Sequence, residues 1–154
     1  VDRLPPLTHP PVGRGSLAAV LSGLDSSIRA RQELFGSTGG SHAAAAFSAE
    51  TGDVAMVRED IGRHNAVDKV IGRLALDREL PTDAHPLGLW VSGRASFEMV
   101  QKAWAGGFAL LVTVSAASAL AIRTAERARL PLVSFAREGT FTLHSGSSTD
   151  HHDR

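Results

Sequence analysis

Cysteine is absent from the sequence, and so is tyrosine. Without a thiol, this chain forms no disulfide, no zinc site built from thiolates and no cysteine-based catalytic centre. The groups that remain for catalysis or ligand binding are carboxylates, hydroxyls, imidazoles and cationic side chains. This absence limits what the chain can do by itself.

An excess of either charge is also missing, since 16 basic side chains face 16 acidic ones. The bulk attraction that non-specific binding to nucleic acids or anionic membranes requires is therefore absent. The longest apolar run, residues 105–121, is interrupted by glycine, serine and threonine, so we expect no membrane-spanning helix. We accordingly expect no nucleic-acid partner and no membrane, and any anionic ligand must be held by a local site.

What the chain does have is the composition of one globular domain, with 154 residues of which 43% are hydrophobic. Proline and glycine are concentrated in residues 1–15, which predicts an extended linker. Residues 16–144 are predicted to form the domain, and the small polar residues 145–154 a flexible tail. Residue 1 is not Met and no signal core follows it, so we expect a fragment or a processed product.

Hydrophobic periodicity predicts a mixed α/β domain. The first half is expected to contain one broken helix or two short ones over Ser16–Phe35 ended by Gly36, a β-hairpin of Ser41–Ser48 with Val54–Arg58, and a helix over Gly62–Leu80 ended by Pro81. The second half alternates strands (Leu87–Val91, Ala109–Val114, Leu132–Phe135, Thr140–His144) with helices (Ala95–Ala105, Ser118–Arg129). This order favours a three-layer α/β/α sandwich with right-handed crossovers.

Three loops are predicted at the carboxyl ends of strands, where ligands bind in such sheets. In residues 92–96, Gly93 and Arg94 suit a phosphate or carboxylate, although a helix cap with a solvated arginine explains them equally well. Residues 115–118 are explained more simply by Ser118 as a helix N-cap. In residues 135–140, an aromatic ring next to an arginine is able to hold a base and its phosphate, but a phenylalanine at a strand end is more often part of a core.

The densest polar cluster is residues 58–65, which continues to Asp68 and Lys69. Asp60, His64 and Asp68 are spaced by four and are predicted to share a helix face. The cluster is either a network of ion pairs with Asp60 capping the helix, or part of a functional site. His42 together with Asp60 and His64 would supply nitrogen and oxygen ligands for a metal, which gives an alternative function as a metal-dependent hydrolase or deaminase-like enzyme.

Three segments carry more than spacing, and all three have the order and separation of one known family. They are TGGSHAA (residues 38–44), REDIGRHNAVDKVIG (residues 58–72) and SGRASFEMVQKA (residues 92–103). The chain resembles the FdhD family, the formate dehydrogenase accessory sulfurtransferases, over residues 16–144. A rival interpretation, a scaffold domain without a ligand, does not explain why the three segments occur together.

The resemblance implies a cytidine deaminase-like α/β/α sandwich with a mixed sheet. It also implies a cytoplasmic, homodimeric maturation factor that accepts sulfur from a cysteine desulfurase. The sulfur passes to the molybdenum cofactor, bis-molybdopterin guanine dinucleotide, before that cofactor enters formate dehydrogenase. GDP is expected to act as a partial mimic of the cofactor.

The cofactor-binding segment of the family matches Phe135 to Thr140. The full set of residues expected to bind the cofactor is Phe135, Ala136, Arg137, Glu138, Gly139, Thr140, Ser92, Gly93, Arg94, His42, Arg63, His64, Asn65, Asp68 and Lys69. The sequence departs from the family at one decisive point. The family's Cys-Gly-x-Cys-Gly motif, which carries the persulfide and precedes a segment similar to Val1–Leu7, is not in this chain, so we expect no catalytic residue here and no transferase activity from this chain alone.

Overall fold

The computed structural model describes residues 4–10, 13–80, 85–137 and 139–145, and it contains helices and strands in a mixed order. In chain order they are α1 (Arg14–Leu21), α2 (Leu24–Arg29), α3 (Glu33–Thr38), β1 (His42–Ser48), β2 (Val54–Asp60), α4 (Arg63–Leu76), β3 (Leu87–Val91), α5 (Phe97–Ala105), β4 (Leu110–Thr113), α6 (Ala119–Ala128), β5 (Leu132–Arg137) and β6 (Thr140–Ser145).

The six strands form one sheet in the order β2-β1-β3-β4-β5-β6. Strands β3, β4 and β5 are parallel, whereas β1 is antiparallel to both of its neighbours and β6 is antiparallel to β5. The carboxyl ends of β2, β3, β4 and β5 therefore meet the amino ends of β1 and β6 at one edge of the sheet. This edge is called the carboxyl edge below.

Helices cover both faces of the sheet. On one face α4, α5 and α6 bury an apolar cluster that includes Val67, Met99 and Ala121. On the other face α1 and α2 bury a second cluster around Leu17 and Ile28. The predicted three-layer α/β/α sandwich with a mixed sheet is thus confirmed.

The central strands are apolar along their whole length because both of their faces are covered. Every residue of β4 is buried, and so are the last four residues of β3. Gly88 in β3 lies directly against the ring of Phe47 in β1, and a Cβ at this position would overlap that ring. No helix in the described part of the chain combines the length and the apolarity needed to cross a membrane.

Two predicted helix ends are wrong. Gly36 does not end the first helical region but lies inside a third short helix, α3, which ends where Gly39 adopts a left-handed φ of 68°. The helix predicted to reach Leu80 ends at Leu76, because Arg78 adopts a left-handed φ of 59° and turns the chain. Pro81, the predicted cause of that end, lies outside the described residues.

Residues 4–10 contain neither helix nor strand, but hydrogen bonds bind them to the domain. The Leu7 N–H donates to the Ala128 carbonyl at 2.8 Å, and the Trp104 indole N–H donates to the Pro5 carbonyl at 2.8 Å. The extended segment therefore lies along the ends of α5 and α6. Of the predicted tail, residues 146–154 lie outside the described residues.

Candidate functional site

The three loops predicted at strand ends lie together at the carboxyl edge, because the strands before them are parallel neighbours. The Phe135 N–H at the end of β5 donates to the Ser115 carbonyl after β4 at 3.1 Å. The Ala95 N–H after β3 donates to the Ala116 carbonyl at 3.0 Å. Ser118 is the N-cap of α6, as predicted, and its side chain accepts from the Ala121 N–H. The expectation that these loops meet at one edge is confirmed.

His42 and Ser92 face each other at this edge although they are far apart in the sequence. His42 is the first residue of β1, and its Nδ1 lies 3.0 Å from the Ser92 Oγ. The same Oγ accepts from the Ala43 N–H at 2.9 Å. The serine after β3 thus fixes the start of β1 and orients the imidazole of His42.

Arg63, the first residue of α4, crosses over the loop that follows β3. Gly93 is buried there, and a Cβ at this position would lie 2.6 Å from the Arg63 Cδ, so glycine leaves the space that the arginine occupies. The Arg63 Nε is buried, and no described residue accepts a hydrogen bond from it. The next residue, Arg94, is exposed and forms no ion pair with a described residue. Two cations, Arg63 from α4 and Arg94 from the loop after β3, therefore lie at this edge.

Asp60 lies at the centre of the polar cluster, where its carboxylate holds the junction of β2 and α4 together. Its Oδ2 accepts from the Gly62 N–H at 2.8 Å and from the Asn65 Nδ2 at 3.1 Å. Its Oδ1 pairs with the Lys69 Nζ at 2.9 Å. The hydrogen bond from Gly62, followed by those from Lys69 and Asn65, lowers the pKa of Asp60 to about 2. This carboxylate is ionised and already has partners, so it is poorly suited to act as a base or a metal ligand.

The predicted helix face of Asp60, His64 and Asp68 is wrong. Asp60 is the last residue of β2, and α4 begins only at Arg63, because Gly62 has extended backbone angles. His64 and Asp68 do lie on α4. Asp68 pairs with Lys102 of α5 at 2.5 Å, so it connects two helices of the same layer.

Glu59 is a structural residue that sequence reasoning treated only as a member of the polar cluster. Its carboxylate accepts from the N–H groups of Leu34 and Phe35 at 2.8 and 2.9 Å and from the Ser41 hydroxyl at 3.0 Å. Burial opposes ionisation, but these hydrogen bonds prevail and lower the pKa of Glu59. Glu59 therefore caps α3 from another element of the fold, and no local sequence signal indicates this.

Glu98, in the first turn of α5, is a carboxylate close to Arg63 and His64. A hydrogen bond from its own backbone N–H lowers the pKa of Glu98, and the positive charge of Arg63 lowers it further. His64 is half-buried at this position. A role of His64, Asn65, Asp68 and Lys69 in binding the cofactor stays a prediction.

The set of His42, Asp60 and His64 does not form a metal centre. No group of three or more histidine, aspartate or glutamate side chains in the described ranges is placed to hold a metal ion. His42 contacts Ser92, while Asp60 is occupied by Gly62, Asn65 and Lys69. The geometry thus gives the alternative function, a metal-dependent hydrolase, no support.

Phe135 has an unusual conformation at the end of β5. Its φ is 53°, in the left-handed region that bulky residues rarely adopt. The residue is 53% exposed, whereas the next residue, Ala136, is buried against the α1–α2 side. The interpretation of this phenylalanine as a core residue is therefore wrong. A strained backbone that presents an aromatic ring to solvent is typical of functional sites.

A groove lies between the turn from β5 to β6 and the start of α2, and we call it the α2–β5 groove. Its volume is about 580 Å³, and its lining includes Gly23, Asp25 and Arg29 on one side and Arg137 and Gly139 on the other. A smaller cavity beside it is lined in part by Trp90, Ala136 and Thr140. Ala136, Arg137, Gly139 and Thr140 of the predicted segment line these depressions, whereas Phe135 does not and Glu138 lies outside the described residues.

Two charged groups of this groove, Arg137 and one oxygen of Asp25, have no partner among the described residues. Arg137 is exposed and forms no ion pair with a described residue. Asp25 pairs through its Oδ2 with Arg29 at 2.9 Å, but its Oδ1 is buried and no described residue donates to it. Sequence reasoning interpreted Asp25 only as a capping-type residue and missed the contribution of α2. Arg137 and Asp25 thus line one groove, and the exposed Phe135 lies on the same turn as Arg137, outside the groove lining.

Known proteins with similar sequences support the family resemblance described above. It is 50% identical over 147 residues to the sulfur carrier protein FdhD of Nocardia farcinica, and the match covers 96% of this chain and 50% of that protein. The sulfur carrier protein FdhD of Thermoplasma acidophilum is 47% identical over 123 residues, which is 80% of this chain and 42% of that one. The chain therefore spans about half the length of the curated relatives it matches.

Solved structures agree on the fold. A crystal structure named as a formate dehydrogenase accessory protein from Desulfotalea psychrophila matches with a TM-score of 0.79 and 24% identity, over 94% of this chain and 58% of that one. NE0047, a protein of deaminase fold solved in complex with 2,6-diaminopurine, matches with a TM-score of 0.58 and 12% identity, over 78% of this chain and 76% of its own. These likenesses bear on the fold alone, and they confirm the predicted cytidine deaminase-like sandwich.

The family model agrees with the relatives and with the fold. The model of the FdhD/NarQ family matches residues 7–149, which include every described element of the sandwich. This chain belongs to the FdhD/NarQ family.

Proposed function

We propose that this chain is the nucleotide-binding body of a sulfur carrier protein that serves formate dehydrogenase. Its ligand would be the molybdenum cofactor, bis-molybdopterin guanine dinucleotide, which is the cargo of the reaction. One guanine nucleotide of the cofactor would lie in the α2–β5 groove. Family membership and the names of the relatives support the role in sulfur delivery.

The β5–β6 turn is the observation that carries the proposal. A purine nucleoside diphosphate needs an apolar surface for its base and a cation for its phosphates. The exposed Phe135 supplies an apolar surface, and two residues later Arg137, which has no ion-pair partner among the described residues, supplies the cation. The groove, at about 580 Å³, is within the usual range for small-molecule sites.

The rest of the cofactor would extend along the carboxyl edge towards β3. Arg94 and the Arg63 Nε, which has no acceptor among the described residues, would provide further donors for its phosphates or its pterin. His42 and Ser92 lie beside them at the start of β1. We propose that this second region, with His64 and the residues that follow it, faces the pterin and the molybdenum.

Sulfur transfer itself requires a thiol, and this chain contains none. Acceptance of sulfur from a cysteine desulfurase would depend on a persulfide-carrying cysteine outside these residues. In this proposal the chain binds and orients the cofactor, and does not transfer sulfur by itself. A homodimer in the cytoplasm is part of the same proposal.

A thermal-shift titration with GDP tests the binding step, with ADP and pyrophosphate as controls. A ligand at 100 times its Kd stabilises a protein by about 2.7 kcal/mol, which raises the Tm of a domain of this size by roughly 5 to 10 °C. We expect GDP to give such a rise and ADP a much smaller one. Pyrophosphate alone is expected to give a small rise through the arginines.

The full-length relative from Nocardia farcinica serves as the second protein in this experiment. A rise with GDP in both proteins supports the proposal. A rise in the relative alone would mean that the site is completed by a part of the protein that this chain lacks. If neither protein is stabilised by GDP, the proposed function is wrong.

A further inference from the structure

We propose that Asp25 selects guanine over other bases by accepting hydrogen bonds from the N1–H and the 2-amino group of the base. The inference rests on the proposed function, since it names the residue that determines specificity at that site. Asp25 was not among the residues expected from the sequence to bind the cofactor. This role follows from where α2 lies and from an unpaired oxygen.

Asp25 reaches the groove because the chain turns sharply just before it. Gly23 adopts a left-handed φ of 74°, which starts α2 at the mouth of the groove. Asp25 in the first turn of α2 then lines both the α2–β5 groove and the smaller cavity beside it. Arg137 and Gly139 line the same two depressions from the β5–β6 turn. The groove thus has Asp25, paired with Arg29, on one side and the guanidinium of Arg137 on the other.

The two oxygens of Asp25 have different environments. The Oδ2 accepts from the Arg29 Nε at 2.9 Å, whereas the buried Oδ1 has no donor among the described residues. A buried carboxylate oxygen without a partner costs free energy, so a ligand that donates to it gains affinity. Arg29 is half exposed and a pair of this kind contributes little, so the base would displace Arg29 to reach the second oxygen at small cost. The terminal torsion of a carboxylate is also soft, which allows it to turn towards a ligand.

Guanine has the complement that this carboxylate needs. Its N1–H and 2-amino group are adjacent donors, and together they match the two oxygens of one carboxylate. Adenine presents an acceptor nitrogen at the same edge, which a carboxylate repels. The phosphates of a nucleotide are repelled by Asp25 and attracted by Arg137, so the two charges also orient the ligand along the groove.

The variant Asp25→Asn tests this assignment through the choice of base. Binding of GDP, IDP, ADP and XDP is measured by isothermal titration on the native chain and on the variant. IDP lacks the 2-amino group, and XDP carries an oxygen in its place, which an asparagine amide is able to donate to. Because hydrogen bonds to charged groups contribute substantially, we expect the native chain to prefer GDP over ADP and IDP by roughly 10- to 100-fold. In the variant this preference is lost and the affinity for XDP rises.

The matched control is Asp77→Asn. Asp77 accepts from the Arg73 Nε at 2.9 Å, also with a spacing of four residues, at the far end of α4. The Asp77→Asn substitution removes the same kind of ion pair at a site away from the groove. We expect this variant to have the same preference among the four nucleotides as the native chain. Thermal unfolding of both variants verifies that they are folded. If Asp25→Asn does not fold, Asp25→Ser is measured with the same four nucleotides.

The outcomes separate the two proposals. GDP binding by the native chain with an unchanged preference in the Asp25 variant overturns the role of Asp25 and leaves the proposed function in place. Absence of GDP binding by the native chain overturns the role of Asp25, and the proposed function is overturned as well if the full-length relative from Nocardia farcinica also fails to bind GDP. A loss of affinity that is equal for all four nucleotides also overturns the inference, because it indicates a structural role for this carboxylate.

Discussion

The β2–α4 junction and the β5–β6 turn both lie at the carboxyl edge, but they use their charged residues in opposite ways. At the junction, Asp60 accepts from three partners and Glu59 from three others. At the turn, Arg137 and one oxygen of Asp25 have no partner among the described residues. The junction has the higher density of polar residues, yet the turn has more polar groups that a ligand could bind.

This difference shows that a dense polar sequence is not by itself evidence of a binding site. Hydrogen bonds within the protein satisfy a group and leave little for a ligand, whereas a buried group without a partner gains free energy when a ligand supplies one. The carboxylates of the junction hold α3 and α4 in place. The groups at the turn are arranged around a groove instead.

The largest expected effect comes from removing the groups at the turn. Arg137→Ala and Phe135→Ala should each lower the affinity for GDP by roughly 10- to 100-fold, because a charge-assisted hydrogen bond or a stacking surface is lost. Isothermal titration measures the effect. Asp60→Asn, at the junction, should change the Kd for GDP by no more than about twofold. A tenfold change in Kd corresponds to about 1.4 kcal/mol of binding free energy, so the expected effect of this variant is far smaller. The comparison fails if the junction variant weakens binding as much as the turn variants do.

A second effect concerns the anchoring of α3. Glu59→Gln removes the charge that accepts from Leu34, Phe35 and Ser41, and should lower the free energy of unfolding by about 1 to 2 kcal/mol. Hydrogen exchange should accelerate most in residues 33–38, and urea titration gives the global change. Equal acceleration over the whole sheet would contradict the assignment of Glu59 as a cap.

A third effect separates the backbone of Phe135 from its ring. Phe135→Ala keeps a Cβ at a φ of 53°, whereas Phe135→Gly removes both the ring and the strain. The glycine variant should therefore be more stable than the alanine variant by about 1 kcal/mol, while both bind GDP equally weakly. Paired urea titrations provide the test. A less stable glycine variant would mean that the turn carries no strain.

The smallest effect is a pH dependence at Asp60. Its pKa of about 2 is below the value of about 3.9 in an unfolded chain. The stabilisation by this carboxylate is therefore complete above pH 4 and is lost as the pH falls towards 2. The difference in free energy of unfolding between the native chain and Asp60→Asn should shrink over that range, and urea titrations at several pH values measure it. A difference that stays constant down to pH 2 would show that the pKa of Asp60 is not lowered.

Much of the fold could be predicted because the sheet obeys local rules. The apolar runs of β3 and β4 indicate strands with both faces covered, and their alternation with helices fixes the order of layers. The same reasoning placed Phe135 and Arg137 at the carboxyl edge of the sheet, where they lie in the structure. The ends of helices were less predictable, since α3 is six residues long, contains Gly36, and depends on the distant Glu59.

The groove could not be predicted from local patterns, because its two sides come from opposite ends of the chain. Asp25 precedes β1 and Arg137 follows β4, so only the packing of α2 against the sheet brings them together. Spacing was misleading at Asp60 for a related reason. Residues four apart share a face only when one helix contains them both, and Gly62 interrupts the helix between Asp60 and His64.

Because β5 is irregular, the number of residues at its end matters more for the site than which residues they are. The register between β5 and β6 shifts between Ser134 and Arg137, and this shift exposes Phe135 while it buries Ala136. Side chains alternate along a strand, so the gain or loss of a single residue before this point would exchange the two. The ring would then enter the core, and the methyl group would face solvent. Substitutions in β5 are thus more easily accommodated than insertions or deletions, which would remove the site while leaving every one of its residues in the sequence.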